Sequence, residues 1–165
     1  MDYGFPWDHV VNEFKYQARP ELAGALAELM AAAVARSAQT LPDGVLPMPL
    51  APQRLAQRGY NQAWELARHV AAAVRRPAWP HGLLRPLDTA PQAGLGRAAR
   101  QHNLRTAFMV EPRHRPALAG RRVALVDDVM TTGATVREAA AALLRAGAGA
   151  VDVWVLARTP ETSAD

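Results

Sequence analysis

An acidic pair and a hydroxyl-rich loop lie close together in residues 123–135, VALVDDVMTTGAT. Asp127 and Asp128 follow four apolar residues, which is the pattern of a strand buried on both faces. Paired carboxylates can accept hydrogen bonds from the hydroxyls of a polyol or bind a hard cation. The threonines and glycine of residues 131–135 can hold a phosphate where a helix begins. This order of residues predicts a site for a phosphorylated ligand that carries hydroxyls.

The flanking pattern predicts a strand, the acidic pair at its end, the loop and then a helix. Apolar residues recur after the loop at helical spacing: Val136, Ala139, Ala140, Leu143 and Leu144. Ligands of open α/β sheets bind at the carboxyl ends of the strands, where this pair would lie. Two simpler explanations stay open. The two acids can form a solvated turn, and Thr135 with Glu138 can form a capping box.

The stretch resembles the phosphoribosyl-pyrophosphate (PRPP) motif of type I phosphoribosyltransferases at every position. The resemblance implies that Asp127 and Asp128 bind the ribose hydroxyls of PRPP. It implies that the 5′-phosphate lies in the loop formed by Thr131, Thr132, Gly133, Ala134 and Thr135. It also implies Mg²⁺ at Asp127 and Asp128, bound directly or through water, bridging ribose hydroxyls and pyrophosphate oxygens.

A second segment, LPMPL at 46–50, Arg54 and then RGYNQ at 58–62, is similar to one in the ComF family. These are phosphoribosyltransferase-like proteins, some of them associated with DNA uptake in competence. The triplet Phe14–Lys15–Tyr16 and residues 89–108 extend the resemblance over roughly 14–158. Many members carry an N-terminal four-cysteine zinc module. This chain has no cysteine, so we expect no zinc.

Four arginines complete the catalytic residues that the resemblance implies, together with the acidic pair. Arg54 and Arg58 follow the first predicted strand, where the family's pyrophosphate loop lies. Arg97 and Arg100 belong to the irregular segment 86–103, where type I enzymes have a mobile lid. We expect all four to stabilise the charge on departing pyrophosphate. The simpler explanation is that they are surface arginines on loops. Asn61 has its own simpler explanation, as the N-cap of the next helix.

The basic residues favour an anionic partner. The net charge is +4, Lys15 is the only lysine, and all other basic residues are arginines, which bind phosphate in a bidentate fork. Residues 85–122 hold eight arginines against two acids, a local balance of +6. Pyrophosphate, a nucleotide or single-stranded DNA would suit this charge.

Several classes of protein are disfavoured. The absence of cysteine excludes disulfides and thiolate metal sites, and the five histidines lack metal-ligand spacing. No apolar run reaches the ~20 residues of a membrane span, and the N-terminus does not have the pattern of a signal peptide. We therefore expect a cytoplasmic protein.

The order of elements predicts an α/β fold with a mostly parallel sheet of about five strands flanked by helices, the type I phosphoribosyltransferase fold. Predicted strands lie near residues 44–49, 81–84, 107–110, 123–126 and 151–157. Helices are predicted near 7–16, from Pro20, after Asn61 and after the threonine loop. We expect one domain over 1–165, with an N-terminal helical segment at 1–43 and the α/β core at 44–158.

Other nucleotide-binding patterns fail in context. GLGRAA at 94–99 matches a dinucleotide fingerprint but lacks a preceding strand and a following amphipathic helix. The strand before the acidic pair resembles a Walker B strand, but no P-loop lysine is present.

The resemblance to the ComF family implies Mg²⁺-dependent displacement of pyrophosphate from PRPP by an acceptor that the sequence does not identify. The alternative is a non-catalytic PRPP- or nucleotide-binding accessory factor that contacts single-stranded DNA in competence or repair.

Overall fold

A parallel sheet forms the centre of the computed structural model, which describes residues 3–16, 19–37, 40–86 and 107–159. Its strands are β1 (Gly44–Pro47), β2 (Arg122–Met130) and β3 (Ala150–Arg158), in the order β1-β2-β3. Both neighbouring pairs are parallel, and Leu125 of β2 lies opposite Leu46 on one side and Val153 on the other. Strands of this order and direction, connected through helices, are typical of an α/β fold.

The helices have the following bounds: α1 (Trp7–Tyr16), α2 (Leu22–Ser37), α3 (Pro52–Arg58), α4 (Gln62–Ala73), a 3₁₀ turn (Pro112–His114), α5 (Arg115–Leu118) and α6 (Ala134–Arg145). The predicted helices near 7–16, after Pro20, after Asn61 and after the threonine loop are all present. A further helix, α3, lies in the connection between β1 and α4, where none was predicted. This helix has no buried residue, so it lacks the apolar period from which helices are predicted.

Two hydrophobic clusters cover the two faces of the sheet. Side chains alternate along a strand, so Val123 and Leu125 point to one face and Ala124 and Val126 to the other. The first face packs against α6, and the second packs against α1, α2 and α4. Because both faces are covered, β2 is apolar without alternation, as predicted. The mostly parallel sheet flanked by helices is confirmed.

The described part of the chain contains three of the five expected strands. Residues 81–84 and 107–110 do not join this sheet but meet each other in an antiparallel bridge between Leu84 and Met109. Ala78 continues the sheet beyond β1 by a single parallel bridge to Val45. Prolines occur at 77, 80 and 86, and proline cannot donate to a ladder, so a long strand cannot form here. In the residues that the structure describes, no helix is long and apolar enough to span a bilayer.

The sheet narrows where the acidic pair begins. Pairing between β1 and β2 ends at Pro47 and Val126, followed by a hydrogen bond of 2.7 Å from the Met48 N–H to the Val126 carbonyl. Beyond this point β2 pairs, among the described residues, only with β3, as far as Met130 and Arg158. The expectation that the strand ends before the acids is wrong, because β3 continues to support it. The absence of β1 beside the acids leaves an open cleft.

Candidate functional site

One cleft of about 220 Å³ gathers side chains from six parts of the chain. Its lining includes the end of α1, the residues after β1, α3, the start of α4, Arg85 and the stretch 127–136. These segments meet because β2 ends at the same edge of the sheet as β1, and because α1 and α4 pack on one face. The cleft therefore lies at the carboxyl end of the strands, where ligands of open α/β sheets bind.

Asp128 lies buried in the cleft and has only part of its hydrogen-bonding capacity used. Its Oδ1 accepts a hydrogen bond of 2.6 Å from the Val129 N–H and lies 3.2 Å from the ammonium nitrogen of Lys15. Its Oδ2 is buried and has no partner among the residues that the structure describes. A buried carboxylate oxygen without a donor is costly, so this atom is suited to accept from a ligand hydroxyl or to bind a cation.

The carboxyl of Asp127 has a raised pKa. Burial, and then the adjacent charge of Asp128, raise the pKa of the Asp127 carboxyl from 3.8 to about 8, while Lys15 acts in the opposite direction. The Asp127 Oδ1 also accepts a hydrogen bond of 2.9 Å from the Asp128 N–H. Two close carboxylates without a bound cation cannot both ionise cheaply, and this favours binding a cation or hydroxyl donors at the pair.

The threonine loop turns directly into α6. Gly133 has φ +71°, a left-handed conformation that glycine adopts most readily, and α6 begins at the next residue. The Ala134 N–H donates to Thr132 Oγ1 at 3.4 Å, and the Arg137 guanidinium donates to the Thr132 carbonyl at 3.1 Å. The alternative explanation of Thr135 as part of a capping box is wrong, because the helix begins before this residue. Thr135 instead lines the cleft in the first turn, whose N–H groups have no acceptor within the helix.

Lys15 lies in this cleft, although no role was predicted for it. Its neighbours tie the end of α1 to the site. The Tyr60 hydroxyl donates to the Phe14 carbonyl, their rings lie edge to face at 6.2 Å, and the Arg58 guanidinium lies 5.1 Å from the centre of the Tyr16 ring. A signal was available in the sequence, since the only lysine lies within the triplet that resembles the ComF family.

Arg54 and Arg58 line the cleft from α3, as their predicted role requires. Arg54 is exposed, and Arg58 is partly buried against Tyr16. Arg85 joins them from the other wall and also lies 5.4 Å from the centre of the Phe108 ring. The cleft therefore combines three guanidinium groups with the acidic pair. The predicted pyrophosphate residues Arg97 and Arg100 lie outside the described residues.

Asn61 and Gln62 have different roles at the start of α4. The Asn61 side chain accepts hydrogen bonds from the N–H groups of Ala63 and Trp64 and donates to the Met48 carbonyl at 3.1 Å. It is thus the N-cap, as its simpler explanation required. Gln62 is 4% exposed and lines the cleft, and its Oε1 has no partner in the described ranges. It offers a second unused acceptor to a ligand.

Among the arginines of residues 85–122 that the structure describes, those other than Arg85 lie outside the lining of this cleft. Arg122, at the amino end of β2, forms a 2.8 Å ion pair with Asp152, and Arg113 pairs with Glu111. The described arginines of this segment therefore lie at both ends of the sheet and are not gathered at the cleft. Only Arg85 of this segment lines the cleft among the described residues.

The donors at the cleft fit a magnesium ion. Mg²⁺ is commonly held by one or two carboxylates, with waters and substrate phosphates completing its shell. Asp127 and the unpartnered Oδ2 of Asp128 supply such carboxylates. The described residues contain no cluster of three or more histidine, cysteine or acidic residues placed to hold a metal by themselves. Waters or ligand oxygens would complete the coordination of an ion bound there.

Comparisons with known proteins find a phosphoribosyl transferase domain and relatives named for DNA utilization and competence. The family model described as the phosphoribosyl transferase domain matches residues 59–165. The chain is 36% identical over 162 residues to DNA utilization protein YhgH of Escherichia coli strain K12, covering 96% of this chain and 70% of that protein. It is 35% identical over 157 residues to competence protein F of Haemophilus influenzae, covering 93% and 68% respectively.

A solved structure has a similar fold. It is the glutamine PRPP amidotransferase from B. subtilis in complex with ADP and GMP, with a TM-score of 0.59 and 23% identity. The match covers 88% of this chain and 30% of the amidotransferase chain. At this identity the likeness shows the fold, and the residues of the cleft carry any argument about chemistry.

Proposed function

The chain belongs to the ComF family of phosphoribosyltransferase-like proteins, and from this premise we propose that its cleft binds PRPP with Mg²⁺ for the displacement of pyrophosphate by an acceptor. One observation carries the proposal. A buried carboxylate with an unused oxygen lies beside a threonine loop at a helix N-terminus, in the same cleft as three arginines. Few ligands other than a phosphorylated sugar would use all three features together.

The parts of PRPP correspond to parts of the cleft. Ribose hydroxyls would donate to the oxygens of Asp127 and Asp128, which makes use of the unpartnered Oδ2 of Asp128. The 5′-phosphate would accept hydrogen bonds from the N–H groups and hydroxyls of residues 131–135. The pyrophosphate would lie against Arg54 and Arg58 on α3.

Transfer would break the bond between C1 of the ribose and the pyrophosphate oxygen, while the acceptor forms a bond to C1 and the electron pair leaves with pyrophosphate. Bound Mg²⁺ would neutralise charge on the pyrophosphate. Arg54 and Arg58 would stabilise the negative charge that grows on the leaving group, and loss of one such donor typically costs about 3–4 kcal/mol of activation free energy. The role of Arg97 and Arg100 in stabilising the same charge stays a prediction.

Isothermal titration calorimetry with PRPP in the presence of Mg²⁺ tests binding, and a pyrophosphate-release screen over bases, amines and ammonia tests transfer. We expect micromolar binding that is lost when EDTA removes the metal. Ribose 5-phosphate is the matched control ligand, since it lacks the pyrophosphate, and it should bind more weakly. Equal affinity for the two ligands would contradict the proposal that Arg54 and Arg58 bind the pyrophosphate. No heat of binding with PRPP would overturn the site.

The names of two relatives favour a second candidate function, a non-catalytic factor that contacts single-stranded DNA. DNA utilization protein and competence protein F align over nearly the whole of this chain. Under this alternative, binding to a single-stranded oligonucleotide falls steeply with salt and does not depend on PRPP. Fluorescence anisotropy over a salt series, with and without PRPP, separates this function from a transferase that releases pyrophosphate.

A further inference from the structure

Lys15 and Asp128 form an ion pair inside the cleft. The ammonium nitrogen lies 3.2 Å from Asp128 Oδ1, and the two side chains are only 16% and 5% exposed. An ion pair this enclosed is poorly screened by solvent, so removing either partner leaves an uncompensated charge. The pair therefore has a larger effect on the site than a surface ion pair would.

The position of Lys15 is set by contacts other than the ion pair. On one side of it, the Phe14 carbonyl accepts from the Tyr60 hydroxyl, and on the other the Tyr16 ring lies beside Arg58. These neighbours attach α1 to α3 and to the start of α4. The backbone of Lys15 is consequently fixed near Asp128 by the packing of three helices.

Lys15 and a metal would compete for the same carboxylate. Mg²⁺ binds a carboxylate oxygen at about 2.1 Å, which would place two like charges within a few ångströms of each other. The lysine ammonium is a compact charge on a flexible stem with three donors, so it can leave the carboxylate for another acceptor nearby. Lys15 also lines a groove with Arg54 and Arg58, and an anion bound there would be within reach of its flexible stem.

We infer that Lys15 is a tethered counter-ion that occupies the cation position at Asp128 in the free protein and transfers to the anionic groups of the bound ligand when a divalent cation binds. This inference rests on the proposed function for the identity of that ligand. Its consequence is that divalent cations alone bind weakly, and that the phosphorylated ligand makes their binding favourable. Metal and ligand are then coupled through one side chain.

A titration with Mn²⁺, monitored by electron paramagnetic resonance in the absence of PRPP, tests whether Lys15 occupies the cation position at Asp128. Lys15→Met keeps most of the stem and removes the charge. We expect this variant to bind Mn²⁺ about tenfold more tightly than the wild type, because the carboxylates lose their internal cation. The enhancement of Mn²⁺ affinity by added PRPP should also shrink, and PRPP itself should bind about tenfold more weakly.

Arg68→Gln is the matched control. It removes one positive charge that is paired with Glu65 on α4, outside the cleft lining. Mn²⁺ affinity should be unchanged in this variant. Unchanged or weaker Mn²⁺ binding by folded Lys15→Met would overturn the inference. If wild-type protein fails to bind PRPP, the proposed function is wrong, while the Mn²⁺ titration still decides the role of Lys15.

The wild-type protein provides a measurement that requires no substitution. Because Lys15 is the only lysine, protein labelled with ¹³C,¹⁵N-lysine has one lysine side-chain signal. We expect millimolar Mg²⁺ alone to leave this signal unchanged, and Mg²⁺ with PRPP to shift it. A shift that saturates with Mg²⁺ alone would show that the metal displaces Lys15 without a ligand, which contradicts the inference.

Discussion

Two carboxylates that are adjacent in the chain have different environments in the cleft. Asp128 is buried, paired with Lys15 and has one unused oxygen, whereas the pKa of Asp127 is raised by burial and by its neighbour. The difference arises because consecutive residues of β2 point to opposite sides of the strand. We expect the two residues to contribute unequally to ligand binding. Asp128 should contribute more, because it has an unused oxygen in the free protein.

Replacing both acids should remove ligand binding without unfolding the protein. Asp127→Asn with Asp128→Asn keeps the shape of both side chains and removes the charges that would hold Mg²⁺. We expect PRPP binding to fall by at least about 100-fold in calorimetry, since each lost charged hydrogen bond costs about 1.5–3 kcal/mol. Circular dichroism checks the fold. Unchanged PRPP binding in a folded double variant would refute the site.

Gly133→Ala should disturb the loop through its backbone. Gly133 has φ +71°, and an added Cβ would lie 3.3 Å from the Arg137 guanidinium. The left-handed conformation costs a non-glycine residue about 1–2 kcal/mol, so stability and PRPP affinity should both fall. Urea denaturation and calorimetry measure the two effects. Gly24→Ala is the control, since this helical glycine has open space around it, and alanine should stabilise α2.

At the scale of elements, the cleft depends on helices that are not adjacent in the sequence. α1, α3 and the start of α4 meet through Phe14, Tyr16, Arg58 and Tyr60. The Tyr60 hydroxyl is partly buried, and burial raises its pKa, so it remains a donor at neutral pH. These contacts connect the N-terminal helix to the site, although α1 lies outside the strand–loop–helix unit that contains the acidic pair.

Tyr60→Phe should loosen α1 without changing a group that would touch the ligand. It removes the hydroxyl and leaves the Phe14 carbonyl without this donor. We expect a loss of about 1 kcal/mol in the free energy of unfolding. Tyr3→Phe is the matched control, because the Tyr3 hydroxyl makes an exposed contact of 3.4 Å with Asn12. Equal stability of the two variants would show that the Tyr60 contact does not anchor α1.

At the scale of the whole molecule, one raised pKa links the site to global stability. Asp127 has a pKa of about 8 in the folded protein and 3.8 as its ordinary value, so the folded state holds a proton that the unfolded state releases. The contribution of this carboxyl to stability is present below pH 4 and is lost as the pH rises towards 8. The metal-free protein should therefore become less stable across this interval.

Asp127→Asn isolates that effect. The wild type should lose up to about 1.4 kcal/mol of unfolding free energy per pH unit from this one proton, and the variant should lack this slope. Urea denaturation at pH 5, 6, 7 and 8 in metal-free buffer measures both proteins. Subtracting the unfolding free energies of the two proteins at each pH removes the contribution of the histidines, because both proteins contain them. Parallel pH curves would show that Asp127 has an ordinary pKa.

The sequence by itself determined the fold class and the local unit of the site. The uninterrupted apolar run at 123–126, the acidic pair, the threonine loop and the helical period after it are all local patterns, and the residues at 46–62 identified the family. Such patterns predict structure because the periods of strands and helices are properties of consecutive residues. The same spacing rule predicts an apolar stripe on α2 formed by Leu22, Leu26, Leu29, Met30 and Ala33. This stripe is wrong in part, since Leu29 is 46% exposed while Val34 is buried.

The tertiary structure decided what depends on distant partners. β2 extends to Met130 because β3 pairs with it, and the cleft opens because β1 has already ended. α3 was missed because a helix without a buried face has no apolar period. The contact between Lys15 and Asp128 joins residues from opposite ends of the chain, and only packing of α1 on the sheet brings them together. A charge pair of this kind leaves no period or spacing in the sequence.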